Sequence, residues 1–186
     1  SVIACDLDAA FLERCRETVA KYGRPERLST VHTHDGRTLH IADRSADMVF
    51  CYITLQHCAA QDALSLVSEA FRVVRPGGWV LLNFRTWTLD DAVLYPAGVA
   101  MRRLWRTPVL GPWLVSKRWS TRLGWQANRL APRAVLDHLK RAGIAIDEPT
   151  IWVRHVRRLV EVPGVGMKTF GGIARSHWWL IARRAQ

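Results

Sequence analysis

The sequence predicts an α/β fold with a doubly wound, mostly parallel sheet, and three observations lead to this prediction. Short apolar runs alternate with amphipathic segments long enough to be helices. The run over residues 79–84 is apolar at nearly every position, which is typical of a strand buried on both faces. The chain has 186 residues, 49% of them hydrophobic, which suffices for one domain with a substantial core.

The best-defined junction joins a helix to that strand. Pro76 lacks a backbone N–H and is expected to stop the helix, while Gly77 and Gly78 permit the positive backbone dihedrals of a tight turn. We therefore predict a helix over residues 63–74, a turn, and a strand over residues 79–84.

The upstream elements follow the same alternation. A strand is predicted over residues 2–5, and Asp8 is placed to cap a helix over residues 9–22 whose apolar side chains share one face. Two further strands are predicted over residues 28–33 and 46–55.

A polar residue follows each of these apolar runs. Asp6 follows the first, Asp35 and Gly36 follow the second, and His57 follows the third. In a parallel sheet the carboxyl ends of the strands lie at one rim, where ligands bind. The simpler interpretation is that Asp6 and Asp8 begin a helix and that Asp35 and Gly36 form an ordinary turn.

The ordered segments ACDLD, THDG, ADMVFCYITLQHC and VVRPGGWVLL resemble those of class I S-adenosylmethionine-dependent methyltransferases. The resemblance covers residues 1–84. It returns at 133–146, similar to the family's late helix and sixth strand, and at 176–184, similar to its last, antiparallel strand. It implies a Rossmann-like fold, S-adenosylmethionine as cofactor, methyl transfer as the reaction, and no metal.

The resemblance further implies that Asp6, Leu7, Asp35, Gly36 and Gln56 bind the cofactor. Asp6 would accept hydrogen bonds from both ribose hydroxyls, and Asp35 would accept one from the exocyclic amine of adenine. Gly36 would let the backbone approach the adenine ring.

His57 lies, by the resemblance, where the family faces the transferred methyl group and the substrate. Its imidazole changes charge near neutral pH and would serve as a general base for a hydroxyl or an acidic carbon. The alternative is that His57 shapes the pocket or caps the following loop.

The family's first strand and glycine-rich loop have no counterpart upstream of Val2. That strand is central in the family's sheet, so two inner strand edges would be unpaired without it. We expect one strand–helix unit of roughly thirty or more residues at the amino end of the complete protein. Without it, the chain is expected to bind S-adenosylmethionine poorly and to aggregate.

A circular permutation is an alternative source of that loop. Residues 158–169 include Glu161, Gly164 and Gly166, which loosely resemble the glycine-rich loop, although the spacing differs. A loop between two antiparallel strands is the preferred interpretation of this segment.

The positive charge belongs to the second part of the chain. Residues 1–84 hold nine Lys and Arg against ten Asp and Glu, whereas residues 85–186 hold eighteen against six, together with eight of the nine tryptophans. Arginine and tryptophan suit anionic or flat partners. The alternative is a solvated basic face with ordinary core tryptophans.

Within one domain over 1–186, we divide the chain into a cofactor half (1–84), a helical insertion (85–130), and a C-terminal helix with an antiparallel strand pair (131–186). Helices are predicted over residues 97–106 and 113–123. In the resembled family such insertions form a lid over the substrate. The aromatic and basic residues of the insertion are Trp87, Trp105, Trp113, Trp119, Trp125, Arg102, Arg103, Arg106, Arg118, Arg122 and Arg129.

Two functional classes fit this sequence. The first is a methyltransferase acting on a small molecule, and the second is a methyltransferase-like protein that binds RNA or an anionic surface, with or without activity. Arginines interleaved with tryptophans and broken by prolines favour a folded lid, and therefore the first class. Four cysteines without metal-type or C-x-x-C spacing suggest apolar thiols in a reducing cytoplasm.

Overall fold

A computed structural model describes residues 1–124, 128–156 and 160–186; Trp125 and Arg158 lie outside these ranges. The described residues form seven strands and six α-helices. The strands are β1 (Val2–Asp6), β2 (Leu28–His32), β3 (Ala46–Cys51), β4 (Val74–Arg85), β5 (Ile146–Val153), β6 (Gly166–Thr169) and β7 (His177–Arg184). The helices are α1 (Ala9–Tyr22), α2 (Ala60–Val73), α3 (Asp91–Leu104), α4 (Leu110–Val115), α5 (Arg118–Gly124) and α6 (Pro132–Arg141).

The strands form two sheets. β1 and β2 pair in parallel, and the other strands form a five-stranded sheet of order β3-β4-β7-β5-β6. β7 is antiparallel to both β4 and β5, as predicted for residues 176–184, and the remaining pairs are parallel. The predicted α/β, Rossmann-like architecture is confirmed. In the described ranges β1 and β3 each pair with one neighbour only.

The helix–strand junction differs from the prediction. α2 already ends at Val73, and Val74 pairs with Ala46 before Pro76 is reached. The next paired residue of β4 is Trp79, opposite Met48, so the intervening residues form a bulge within one long strand. A Cβ at Gly78 would lie 2.7 Å from the carbonyl oxygen of Asp47, which explains a glycine there. The Pro-Gly-Gly segment is thus a strand irregularity, not a separate turn.

The third strand is shorter than predicted. β3 ends at Cys51, and Thr54–His57 forms a 3₁₀ turn before α2 begins at Ala60. The apolar run continues beyond β3 because Leu55 is buried inside the turn. Apolarity alone cannot separate a buried strand from a buried turn.

The hydrophobic core lies between one face of the five-stranded sheet and helices α2 and α6. Alternate residues of each strand point toward it, as the pleat of a strand requires. The helices contribute Val67, Phe71, Val135 and Leu139, and the strands contribute Val80, Leu82, Phe84, Ile151, Val153, Trp178, Leu180 and Ala182. The other face is more open, with Met48, Phe50 and Tyr52 exposed.

The insertion contains three helices where the sequence predicts two. α3 begins at Asp91, ahead of Pro96, which lies inside the helix. The predicted helix over residues 113–123 is divided between α4 and α5. Trp105 joins α3 to α5, because its Nε1 donates a 2.8 Å hydrogen bond to Ser120 Oγ.

Residues 166–169 form an edge strand that the sequence does not predict. β6 lies parallel to β5 at the edge of the sheet farthest from β3. The end of the segment from Gly166 therefore lies at that edge and not between β1 and β3, while Arg158 lies outside the described residues. The segment lies between β5 and β7, which are antiparallel to each other, in agreement with the interpretation preferred above.

None of the helices in the described ranges is long and apolar enough to cross a bilayer.

Candidate functional site

Asp6 closes β1 beside the end of β2. The Asp6 carbonyl accepts a 3.0 Å bond from Thr33 N, and the next carbonyl, of Leu7, lies 2.9 Å from His32 Nε2. The Asp6 carboxylate is oriented by a 2.9 Å bond from Asp8 N to its Oδ1. Asp8, not Asp6, caps α1, because its Oδ1 accepts a 2.8 Å bond from Ala10 N. Within the described residues, Asp6 Oδ2 accepts no hydrogen bond.

Asp35 organises the loop after β2. Its Oδ1 accepts 2.9 Å bonds from the amides of Arg37 and Thr38, and its Oδ2 accepts a 2.9 Å bond from Thr38 Oγ1. These hydrogen bonds lower the pKa of Asp35 to about 2. Gly36 has φ +63°, and a Cβ there would lie 3.2 Å from Leu7 Cδ1. Asp35 and Gly36 therefore form an ordinary turn. This turn packs against the Asp6–Leu7 loop.

The Asp35 loop is tied to α2. Arg37 Nε lies 2.6 Å from Asp62 Oδ1, in the first turn of that helix. Leu39 N donates a 2.9 Å bond to Glu69 Oε2 further along α2. α2 follows the 3₁₀ turn that carries His57. These contacts therefore hold the loop after β2, and with it the two-stranded sheet, next to that turn.

Two asparagines hold the 3₁₀ turn. Asn83 Oδ1 accepts a 3.3 Å bond from Ile53 N, and Asn128 Nδ2 donates to the carbonyls of Leu55 at 2.6 Å and Cys58 at 2.8 Å. Ile53 has φ +68°, which is strained for a β-branched residue. Such strain concentrates at functional sites, where surrounding contacts maintain it.

Gln56 and His57 lie together on this turn, with Gln56 Nε2 3.4 Å from His57 Nε2. The side chain of Gln56 is buried, and its Oε1 has no hydrogen-bond partner among the described residues. A buried acceptor without a donor costs about 1–3 kcal/mol, so a ligand N–H or O–H would be stabilised there. Asp6, Leu7 and Gly36 form a second group, at the end of the other sheet.

Asn83 and His177 belong to the same region, and the sequence analysis missed them. His177 Nδ1 lies 3.1 Å from Asn83 Oδ1. Burial lowers the pKa of His177, and the nearby charges of Arg85, His57 and Arg129 lower it further. Asn83 could have been found as the polar residue within an apolar strand. His177 carries no such signal, because only the antiparallel pairing of β7 brings it to the carboxyl end of β4.

A buried ion cluster follows β4. The side chain of Asp91 is 0% exposed and lies 2.8 Å from Arg129 and 3.2 Å from Arg85. Thr88 N donates a 2.9 Å bond to its other oxygen. Burial raises the pKa of Asp91, but hydrogen bonds from Arg129 and Thr88 and the two positive charges outweigh burial and hold it at about 2. This carboxylate, too, was missed.

The structure has a basic cavity and an aromatic cavity, and neither is lined by Asp6, Asp35 or His57. The basic cavity, of about 750 Å³, lies between α3 and α5. The aromatic cavity, of about 360 Å³, lies on the open sheet face, where Tyr52 and Trp179 stack. The basic cavity is lined by Arg85, Tyr95, Lys117, Arg118, Trp119, Arg122 and Arg129, among others.

The stability of the fold is expected to fall as the pH falls below neutral. The pKa values of His177 and His138 are both lowered, chiefly by burial, from an ordinary value of 6.5. Below about pH 6.5 these histidines bind protons more readily in the unfolded chain than in the folded chain, so a fall in pH favours unfolding. Urea unfolding between about pH 7.5 and 5.5 measures this slope. A His177→Gln/His138→Gln variant should show a smaller slope, and an unchanged slope would contradict the assignment.

Comparison with known proteins agrees with this architecture. Residues 1–82 match the family model described as "Methyltransferase domain". A malonyl-[acyl-carrier protein] O-methyltransferase from Marinomonas sp. is 40% identical over 63 residues, covering 31% of this chain and 23% of that protein. A carboxy-S-adenosyl-L-methionine synthase from Pseudomonas putida is 33% identical over 91 residues, covering 48% of this chain and 37% of that protein. The chain thus spans well under half of either relative.

Solved structures extend the likeness to the whole chain. A S-adenosylmethionine-dependent methyltransferase from Methanosarcina mazei matches with a TM-score of 0.61 and 15% identity, over 99% of this chain and 82% of that one. A putative methyltransferase from Bacillus halodurans matches with a TM-score of 0.58 and 18% identity, over 100% of this chain and 83% of that one. At such identities the likeness concerns the fold. Residues 1–82 thus match a methyltransferase domain, and the chain has the fold of S-adenosylmethionine-dependent methyltransferases.

Proposed function

We propose that the complete protein binds S-adenosylmethionine and transfers its methyl group to a small-molecule acceptor in the cytoplasm. The observation that carries the proposal is the meeting of two loops, in which Leu7 after β1 packs against Gly36 after β2. The carboxylates of Asp6 and Asp35 lie on these same loops. The four cysteines are free thiols, which supports a reducing compartment.

The chain's own residues suit the nucleoside end of the cofactor. Asp6 presents Oδ2 to the ribose hydroxyls while Oδ1 is held by Asp8 N. Asp35, ionised and fixed by its own turn, presents Oδ2 to the adenine amine. Gln56 Oε1 supplies a buried acceptor for a further donor. When bound, the cofactor supplies a methyl group made electrophilic by a positively charged sulfur.

His57 is proposed as the general base. It would take the acceptor's proton as the bond to the methyl carbon forms and the sulfur–carbon bond breaks, so that the proton ends on the imidazole. The asparagine contacts that hold the 3₁₀ turn also hold His57 in place. Positioning of this kind matters because small displacements of a reacting group lower rates strongly.

Binding of RNA or an anionic surface is the second candidate. Exposed Trp113 and Trp119 beside exposed Arg118 and Arg122 favour it. The small-molecule function is preferred because the cations Arg118 and Arg122 line a concave cavity of small-molecule size.

Asp6→Ala in the complete protein is expected to weaken S-adenosylmethionine binding by about 1.5–3 kcal/mol, the worth of hydrogen bonds to a charged group. Isothermal titration calorimetry measures it. The matched control is Asp8→Ala, which removes the cap of α1 and lowers stability by about 1 kcal/mol while leaving cofactor affinity unchanged. Unchanged cofactor binding by the Asp6 variant would remove Asp6 from the site.

A further inference from the structure

The basic cavity between α3 and α5 carries an excess of positive charge. Arg85 and Arg129 share the carboxylate of Asp91, at 3.2 and 2.8 Å. Arg118 and Arg122 also line the cavity, and neither pairs with a carboxylate in the part of the chain that the structure describes. The cavity therefore has more cations than its own acidic groups neutralise.

Aromatic rings complete the lining. The Arg129 guanidinium carbon lies 5.7 Å from the centroid of the Tyr95 ring, so this ring already contacts a cation. Trp119 is 55% exposed, which leaves a large flat surface available to a ligand. A volume of about 750 Å³ falls within the range of about 300–1,000 Å³ that is usual for small-molecule sites.

We propose that this cavity is the acceptor site and that it takes a small molecule with a flat ring and an anionic group, either a carboxylate or a phosphate. Guanidinium groups bind both anions through paired hydrogen bonds, and aromatic side chains stack on the ring. The assignment of the bound molecule as methyl acceptor rests on the proposed function; the binding itself does not.

The cavity's position suits this role. Arg85 is the last residue of β4 and pairs with His177 of β7. Arg129 directly follows Asn128, whose Nδ2 donates to the carbonyls of Leu55 and Cys58 on either side of His57. An acceptor whose anion is held by the cavity's arginines would therefore extend toward the turn that carries His57.

The test uses three matched probes with the complete protein. The probes 2-naphthoate and 2-naphthyl phosphate carry the two anions on one ring, and 2-naphthamide is the neutral analogue of 2-naphthoate. Calorimetry at low salt, without cofactor, should show binding of at least one anionic probe about tenfold tighter than binding of the amide. The tighter of the two anions identifies the acceptor's group. Equal affinity for 2-naphthoate, 2-naphthyl phosphate and 2-naphthamide would overturn the proposal.

Variants locate the binding. Arg118→Gln/Arg122→Gln should weaken anion binding about tenfold, whereas binding of the amide should not change. The matched control is Arg103→Gln/Arg106→Gln, which removes two exposed arginines of the same insertion that do not line the cavity. Equal loss in both variants would overturn the proposal, because it would indicate a general charge effect.

Two further measurements separate this inference from its rivals. The Arg118→Gln/Arg122→Gln variant should bind the cofactor with the same affinity as the wild type. If the wild type bound no cofactor, the proposed function would fail, but anion binding in the cavity would still be established. A single-stranded RNA oligomer should not displace the anionic probe at equal concentration. Displacement by RNA would overturn the small-molecule assignment in favour of a nucleic-acid surface.

Discussion

Replacing Asp91 with asparagine is expected to lower the free energy of unfolding by about 3–5 kcal/mol, the usual cost of removing one partner from a buried ion pair. The carboxylate is 0% exposed, and the side chains of Arg85 and Arg129 are only 14% and 4% exposed. Asparagine keeps the shape of Asp91 and can still accept the bond from Thr88 N. The expected loss therefore comes from the negative charge that balances two buried guanidinium groups.

Chemical denaturation of Asp91→Asn measures this loss, and Asp90→Asn is the matched control. Asp90 is the preceding carboxylate and is exposed, so its replacement should change stability by no more than about 0.5 kcal/mol. Similar losses for the two variants would mean that Asp91 is not a structural ion partner. Because Arg85 and Arg129 line the basic cavity, Asp91→Asn should also alter anion binding there.

The same cluster predicts an acid transition. The pKa of Asp91 is held at about 2, below its ordinary value of 3.8. A lowered carboxyl pKa stabilises the fold above the unfolded value and loses that contribution as the pH falls through the folded value. The contribution of Asp91 should therefore be complete above about pH 4 and disappear between about pH 4 and 2.

Replacing Trp178 with alanine is expected to cost about 3–5 kcal/mol of stability, the range for large-to-small changes of a buried aromatic residue. Trp178 is 0% exposed and stacks on Phe84 with ring centroids 4.5 Å apart. Its Nε1 donates a 2.8 Å bond to the carbonyl of Leu130, which would lose its donor. Both a cavity and an unpaired acceptor would result.

Trp113→Ala is the control for this change. Trp113 is 54% exposed, so its truncation should cost about 1 kcal/mol or less. Urea unfolding of both variants, followed by circular dichroism, gives the comparison. A loss for Trp178→Ala no larger than that for Trp113→Ala would show that β7 does not pack against the core as described.

The tryptophans also show how much of the structure can be predicted from composition. The sequence shows that tryptophan and arginine are concentrated after residue 84, and it predicts that some tryptophans line a lid while others pack the fold. It could not assign individual residues. Trp178 is a core residue and Trp105 a link between helices, while Trp119 lines a cavity. These differences depend on which helices and strands pack together. The local sequence around a tryptophan does not show this packing.

The sequence by itself determined the alternation of strands and helices, the cap at Asp8 and the position of Asp6 at the end of β1. These features follow from periodicity and from hydrogen bonds between residues close in the chain. Only the tertiary structure decided the bulge at Gly78, the contact of His177 with Asn83 and the pairing of Asp91 with Arg129. In each case the partners are distant in sequence, and strand register or helix packing brings them together, which no local pattern encodes.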